Sequence, residues 1–381
     1  MTAEVPISPS LHGLKRECLS YGEVLAQSIA VIAPTTTPAA NLALIYAVAG
    51  NGTWLSFLLG LIGLVCVSVN INQFARRSAS PGSLYTYIAT GLGTSAGVLC
   101  GLGLILAYLF TGMAVLCGFA NFGQALFAHL GIHTHALTLF AMGTAIAWYA
   151  AHKDIQLFAK ALLWLEGISI GLIALLGLLI WMHQGFAIDW HQLTLKDATP
   201  GGISMGIVLV VFGFSGFESA TSLGDEAQKP LKNIPKAVMR SVLQAGFFFI
   251  VMAYIEVLGF NASSANLAES EEPLTFLADQ AGVGFLGILI SLGAWLSFFA
   301  CILAAINPAA RVVFLMARHG VFHDALGEAH EENMTPHTAV ALCALVTFLV
   351  PASMNLFGLK TFESMGYLGT ICTYGFLLVY I

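Results

Sequence analysis

The sequence predicts an all-α polytopic membrane protein built as two blocks of five spans, the second inverted, with the first span of each block discontinuous. Three observations lead there. Hydrophobic residues fill 58% of the 381 positions and charged residues 9%, with a mean hydropathy of +0.85, whereas soluble domains carry about a quarter charged residues. Apolar runs recur at lengths near the roughly 20 residues that carry a helix across hydrocarbon. Two of these runs, IAVIAPTTTPAANLALIYAV and SMGIVLVVFGFSGFESATSL, are broken at their centres by residues that do not belong in a helix. Unpaired backbone costs several kcal/mol per group in lipid, so such a break survives only where it faces protein, water or a ligand.

The first span, 20–49, follows a cytoplasmic N-terminal segment, 1–19. A secretory leader is the alternative for Lys15 and Arg16 followed by an apolar run, but that run passes through a proline pair into further spans, so it reads as a retained first span. Pro34 and Pro38 lack amide hydrogens and free nearby carbonyls. Thr37 before Pro38 suits a cap followed by the first helical position. The amides of Thr35, Thr36 and Thr37 then lie at a positive helix end suited to a carboxylate. The plain alternative is a proline kink with threonines bonded back to their own helix.

Spans two to five are expected at 53–74, 84–118, 136–151 and 157–182, joined by short turns such as Gly50-Asn51-Gly52 and Ser80-Pro81-Gly82. Glu166 lies about two turns inside the fifth, in DIQLFAKALLWLEGISIG, where it reads equally as a proton carrier or as a partner of Lys160.

The sixth span, 202–224, carries the second break. Gly213 and Gly216 admit backbone angles that other residues resist, and carbonyls from Phe212 to Ser215 are placed to hold an ammonium group. Phe214 reads either as an outer gate or as a packing aromatic. Glu218, just beyond, is a candidate for proton coupling or for holding the inner half-helix by hydrogen bonds. The remaining spans are expected at 237–260, 283–317, 337–356 and 362–381, and Glu256, near the end of the seventh, reads as a solvated residue. Residues 20–381 then form a single transmembrane domain. Its last span stops inside the apolar run TICTYGFLLVYI, so further spans beyond it are expected.

Twelve of the fourteen Lys and Arg residues fall on one side if the spans alternate, only Lys196 and Lys360 on the other, which orients the N-terminus towards the cytoplasm of an inner (plasma) membrane. The seven cysteines are scattered singly and read as free, buried thiols. His129, His133 and His135 lack the cysteine or carboxylate that would favour a metal site over an ordinary loop. No phosphate loop, nucleophile elbow or H-E-x-x-H motif occurs, and the chain has no basic nucleic-acid footprint. The expectations are therefore no enzymatic activity, no cofactor, no metal and no nucleic acid. The expected partners are a small molecule and membrane lipid, with the oligomeric state open.

Interrupted helices at matching places in two inverted halves point to a secondary-transporter site. An ion channel would need repeated polar rings along a pore, and an intramembrane enzyme would need converging catalytic groups. Neither pattern is visible.

The run GFSGFESATSLGDEAQKPLKNIPKAV (213–238) resembles the sixth span and following loop of amino acid–polyamine–organocation permeases, through Glu218, Glu226, Pro230, Asn233, Pro235 and Ala237. Residues 307–340 are similar to the end of their eighth span and its loop, through Arg311, Ala317, Arg318, Gly320, Thr335, Pro336 and His337, and 80–94 to the start of their third. The resemblance implies the five-plus-five inverted-repeat transporter fold and ATP-independent alternating access, with an amino acid, polyamine or ethanolamine-type amine held between spans one, three, six, eight and ten. It also implies that a substrate carboxylate meets Ala33, Pro34, Thr35, Thr36 and Thr37. The substrate's amino group would meet Phe212, Gly213, Phe214, Ser215 and Gly216, with Tyr108 and Trp295 as side-chain lining. The chain departs from the family pattern in three places: APTTTPA replaces a glycine-rich break, Ser169 stands near the usual span-five lysine with Glu166 one turn earlier, and span eight offers only Ser297 in place of paired hydroxyls. Relatives usually carry twelve spans, about two more than are counted here.

Overall fold

In the computed structural model, Ser20 starts the first helix: its amide and hydroxyl both donate to the Glu23 carboxylate at 2.7 Å, tying down the entry turn. The structure describes Leu14 and residues 16–153, 155–263, 265–331 and 333–381, with backbone alone for 153 and 155–163. Lys15, most of the N-terminal segment and the side chains of Lys153 and Lys160 therefore lie outside the described residues.

Helix α1 (Tyr21–Ile32) stops at Ala33, whose φ of 46° and ψ of 67° are left-handed. The chain re-enters through a wide π turn, Thr37–Asn41, and continues as α2 (Leu42–Ala49). Helix α3 (Thr53–Ala75) follows a glycine-rich corner. The expected span 84–118 is in fact two helices, α4 (Ser83–Leu92) and α5 (Thr94–His129), parted at Gly93 with φ 94°. A residue with a side chain resists that angle.

Next come α6 (Ala136–Lys153), α7 (Ile155–His183), the single turn α8 (Trp190–Leu193) and α9 (Pro200–Gly213). After the second break and a tight turn, Ser219–Leu223, the chain forms α10 (Pro230–Asn261), α11 (Pro273–Gln280) and α12 (Gly284–Arg318). Helices α13 (His337–Leu356) and α14 (Thr361–Tyr380) complete it. Among the described residues six helical stretches are long and apolar enough to cross a membrane, the first of them the interrupted Tyr21–Ala75, and α9 and most of α6 are shorter apolar helices.

Helix α5 packs against both α12 and α14. Small residues make the approach possible: a Cβ on Gly375 of α14 would lie 3.0 Å from Ala107 Cβ of α5. Without a solvent-driven force between helices, this backbone proximity and its dispersion contacts hold the bundle. On the face carrying the N-terminal segment, Leu19 pairs with the loop before α10, its amide donating to Glu226 O at 2.8 Å and its carbonyl accepting from the Gln228 amide at 2.8 Å. Glu226 also receives two hydrogen bonds from Arg311 of α12, at 2.7 and 2.9 Å, with the two residues only 4% and 2% exposed.

On the far face, Asn261 Nδ2 at the end of α10 donates to Asn51 Oδ1 (3.1 Å) and Asp189 Oδ2 (2.9 Å), joining three connections. Glu256 corrects the sequence expectation. It is fully buried, and neither carboxylate oxygen has a hydrogen-bond partner among the described residues. The apolar run does not end at water here, because α11 folds over it and Phe276 stacks on Phe260 with ring centroids 4.9 Å apart. Cys66, expected buried, is exposed.

Candidate functional site

The two breaks lie against each other. A Cβ on Gly213 would stand 3.0 Å from both Thr37 Oγ1 and Asn41 Nδ2, so the end of α9 touches the π turn only because residue 213 has no side chain. Gly216 has φ 74°, and a Cβ there would collide with Val31 at the end of α1. Ser28 Oγ of α1 donates to Phe217 O at 2.7 Å, and Cys301 Sγ of α12 donates to Val31 O at 3.0 Å. The carbonyls released by both breaks thus find partners across the helix contacts.

A cavity sits between the breaks. Thr36 and Thr37 line it from the first break, Phe212, Gly213 and Ser215 from the second. Thr111 and Val115 of α5, Phe298 and Cys301 of α12, and Met365 of α14 complete most of the wall. Its volume is about 20 Å³, room for about one water molecule, whereas sites for small organic ligands run to several hundred. The bundle is therefore closed around the breaks.

The first break resumes one residue earlier than the cap-and-proline reading places it. Thr37 is already inside the π turn, Thr36 flanks it, and Thr36 Oγ1 donates back to Ala33 O at 2.9 Å. The amides of the threonine run are not all free for an anion either. Thr35 gives its amide and its hydroxyl to Glu166 Oε1, both at 2.7 Å, and the Thr36 amide donates to Ala33 O at 2.9 Å. A carboxylate does meet the positive helix end, but it belongs to the protein. Glu166 and Pro34 face a second cavity of about 240 Å³, shared with Ser241 and Gln244 of α10.

Other expected lining residues lie elsewhere. Phe214 turns away from the cavity and packs edge-on against Phe249 of α10 at 5.1 Å, so it does not cover the cavity. Phe212 and Phe298 are the aromatics that do line it. Trp295 stacks on Phe119 of α5 at 5.0 Å, one turn along α12 from the cavity, with Phe298 in the position expected of it. Tyr108 is buried behind the second break and donates to Glu218 Oε1 at 2.7 Å. Tyr380 of α14 donates to Glu218 Oε2, also at 2.7 Å.

Both oxygens of that carboxylate are thus held by phenols, an arrangement that fixes the half-helix after the break to α5 and α14. Below them Cys372 Sγ contacts Thr111 Oγ1 (3.0 Å) and Ser215 Oγ (3.3 Å). Sequence reasoning missed Asn41, Thr111, Phe298, Cys301, Met365 and Tyr380. Asn41, a lone amide in an apolar half-helix, and Thr111, one turn from Tyr108, were the two with a sequence signal.

Comparison with known proteins places this geometry. The family model for amino acid permeases matches residues 23–381. The branched-chain amino acid permease BcaP of Bacillus subtilis (strain 168) is 26% identical over 324 residues, covering 80% of this chain and 68% of its own. The L-methionine/branched-chain amino acid exporter YjeH of Escherichia coli (strain K12) is 27% identical over 354 residues, covering 90% and 80%. The cationic amino acid transporter 4 of Homo sapiens is 24% identical over 351 residues, covering 86% and 53%. Among solved structures, MhsT in complex with L-phenylalanine superposes with a TM-score of 0.66 at 15% identity, covering 96% of this chain and 88% of that one. A Na+-coupled sialic acid symporter gives 0.56 at 11% identity, covering 92% and 78%. These two likenesses concern the fold, which is the five-plus-five inverted repeat. With its discontinuous helices meeting at one cavity and a family match across nearly its whole length, this chain belongs to the amino acid permease family of secondary transporters.

Proposed function

We propose that the chain moves zwitterionic amino acids with apolar side chains by alternating access around the two breaks. One observation carries the reading. The cavity between the breaks is walled by Val31, Ile32, Val115, Phe212, Phe298 and Met365, with hydroxyls and backbone at the breaks and no charged side chain among its lining residues. An ammonium or guanidinium side chain buried there would need an acid, because an unpaired charge in a low-dielectric site is costly. A branched or thioether side chain needs only apolar surface. The substrate carboxylate is assigned to the Thr36–Thr37 end of the π turn. Its ammonium is assigned to the carbonyls around Gly213 to Ser215. That branched-chain and methionine carriers stand among the relatives supports the same choice.

On this reading residues 20–381 act as one ten-span domain in the inner membrane, with residues 1–19 in the cytoplasm, as the distribution of Lys and Arg supports. Counterflow in proteoliposomes tests the substrate class: leucine, isoleucine or methionine on the inside is expected to drive saturable uptake of labelled leucine, while lysine, putrescine and ethanolamine do not. Equal counterflow with the cationic set would remove the proposal.

Glu166 is the residue we assign to proton coupling, in preference to Glu218. Both oxygens of Glu218 are already held by tyrosines, whereas Glu166 holds the moving break itself and borders a cavity. In Glu166→Gln the amide oxygen still accepts from Thr35, so the fold is kept and only the ionisable group is lost. Exchange of leucine for leucine is expected to persist, while accumulation driven by an imposed pH difference disappears. Undiminished pH-driven accumulation in the variant would exclude Glu166.

A further inference from the structure

A groove of about 710 Å³ opens on the N-terminal face between the ends of α3 and α10, with Tyr21 of α1 at its edge. Four cations line it: Arg76 at the end of α3, and Lys232, Lys236 and Arg240 on α10. The α10 residues recur every four positions and so share one face, while Ile234, Ala237, Val238 and Ser241 on the other are buried in the bundle. None of the four cations enters an ion pair among the described residues, and no carboxylate lines the groove. Among the described residues these like charges face one another with no carboxylate opposite them.

Two features go beyond charge. Asn72 of α3 also lines the groove, is 5% exposed, and its Oδ1 has no hydrogen-bond donor among the described residues. The oxygen is itself shielded, so a ligand hydroxyl reaches it once the amide turns towards the groove, and then relieves the cost of the missing donor. Beyond Arg240 the stripe on α10 becomes Leu243, 47% exposed, and Phe247, 72% exposed. An apolar surface therefore runs from the cationic end towards the hydrocarbon.

We propose that this groove binds an anionic glycerophospholipid whose headgroup keeps a free hydroxyl, with the phosphate among the cations, the hydroxyl donating to Asn72 Oδ1 and an acyl chain along Leu243 and Phe247. The position, at the membrane end of two packed helices, is where basic pockets recognise lipid headgroups. One wall belongs to the start of α1, so a bound lipid ties that half-helix to α3 and α10.

The test uses the full chain, purified in detergent, delipidated and titrated with phosphatidylglycerol while bound lipid is counted by native mass spectrometry. Phosphatidylcholine and soluble glycerol phosphate are the comparison ligands. Each cation near a membrane surface is worth roughly fivefold in affinity. The exposed-charge variant Lys232→Gln/Lys236→Gln/Arg240→Gln is expected to bind phosphatidylglycerol about 100-fold more weakly, and Arg240→Gln alone about fivefold. Phosphatidylcholine is expected to bind both proteins weakly. Equal phosphatidylglycerol binding by wild type and the triple variant would overturn the site. Glycerol phosphate binding as tightly as the lipid would assign the groove to a soluble anion instead, which also overturns the proposal.

Discussion

Gly213→Leu is expected to abolish transport while the protein still reaches the membrane in normal amount. The Cβ position at residue 213 already stands 3.0 Å from Thr37 Oγ1 and Asn41 Nδ2. The rest of a leucine side chain must push the π turn away from the end of α9, and the two sets of backbone groups assigned to a substrate then no longer face each other. Misplacing binding groups by an ångström costs on the order of 100-fold, so uptake should fall to background. Gly213→Ala brings only the tight Cβ contact, with two side-chain ends that can turn aside, and should keep a measurable fraction of activity. The measurement is initial leucine uptake normalised to membrane-inserted protein. Wild-type rates in Gly213→Leu would refute the assignment of the site.

The second large effect concerns Arg311. Its guanidinium and the Glu226 carboxylate are almost wholly buried and joined by two hydrogen bonds. Removing one partner strands the other charge, which costs about 3–5 kcal/mol, whereas replacing both with neutral groups is often nearly harmless. Arg311→Met should therefore lower the melting temperature strongly, and Glu226→Gln/Arg311→Met should recover most of the loss. The backbone bond from the Leu19 amide to Glu226 O is kept in both variants, so the comparison isolates the charge. A double variant no more stable than the single would show that the pair is not held by its mutual neutralisation.

The parts of this architecture that were readable in the sequence are those in which a residue acts on its own backbone. Pro34 and Pro38 lack amide hydrogens wherever they are placed, and Gly213 and Gly216 admit geometries denied to others, so both breaks were visible without a partner in view. The apolar runs announced their helices for the same reason. What distant chain segments supply was not readable.

Tyr380 closes on Glu218 across the bundle, and nothing local to either residue signals the other. Phe298 and Trp295 share a face of α12 one turn apart, and the resemblance that points to Trp295 indicates the face but not the depth at which the cavity lies. Glu256 looks solvated because the apolar run ends soon after it, yet the chain turns back and lays α11 against the end of α10, with Phe276 stacked on Phe260. The Thr35 amide looked free for a ligand until Glu166 arrived from another span.

The smallness of the space between the breaks has an electrical meaning. With room for about one water molecule, the cavity between the breaks holds no file of water along which ions could pass in this conformation. A carrier that passes through such a state each cycle insulates the membrane while it works, and a cell can hold many copies without short-circuiting its own gradients.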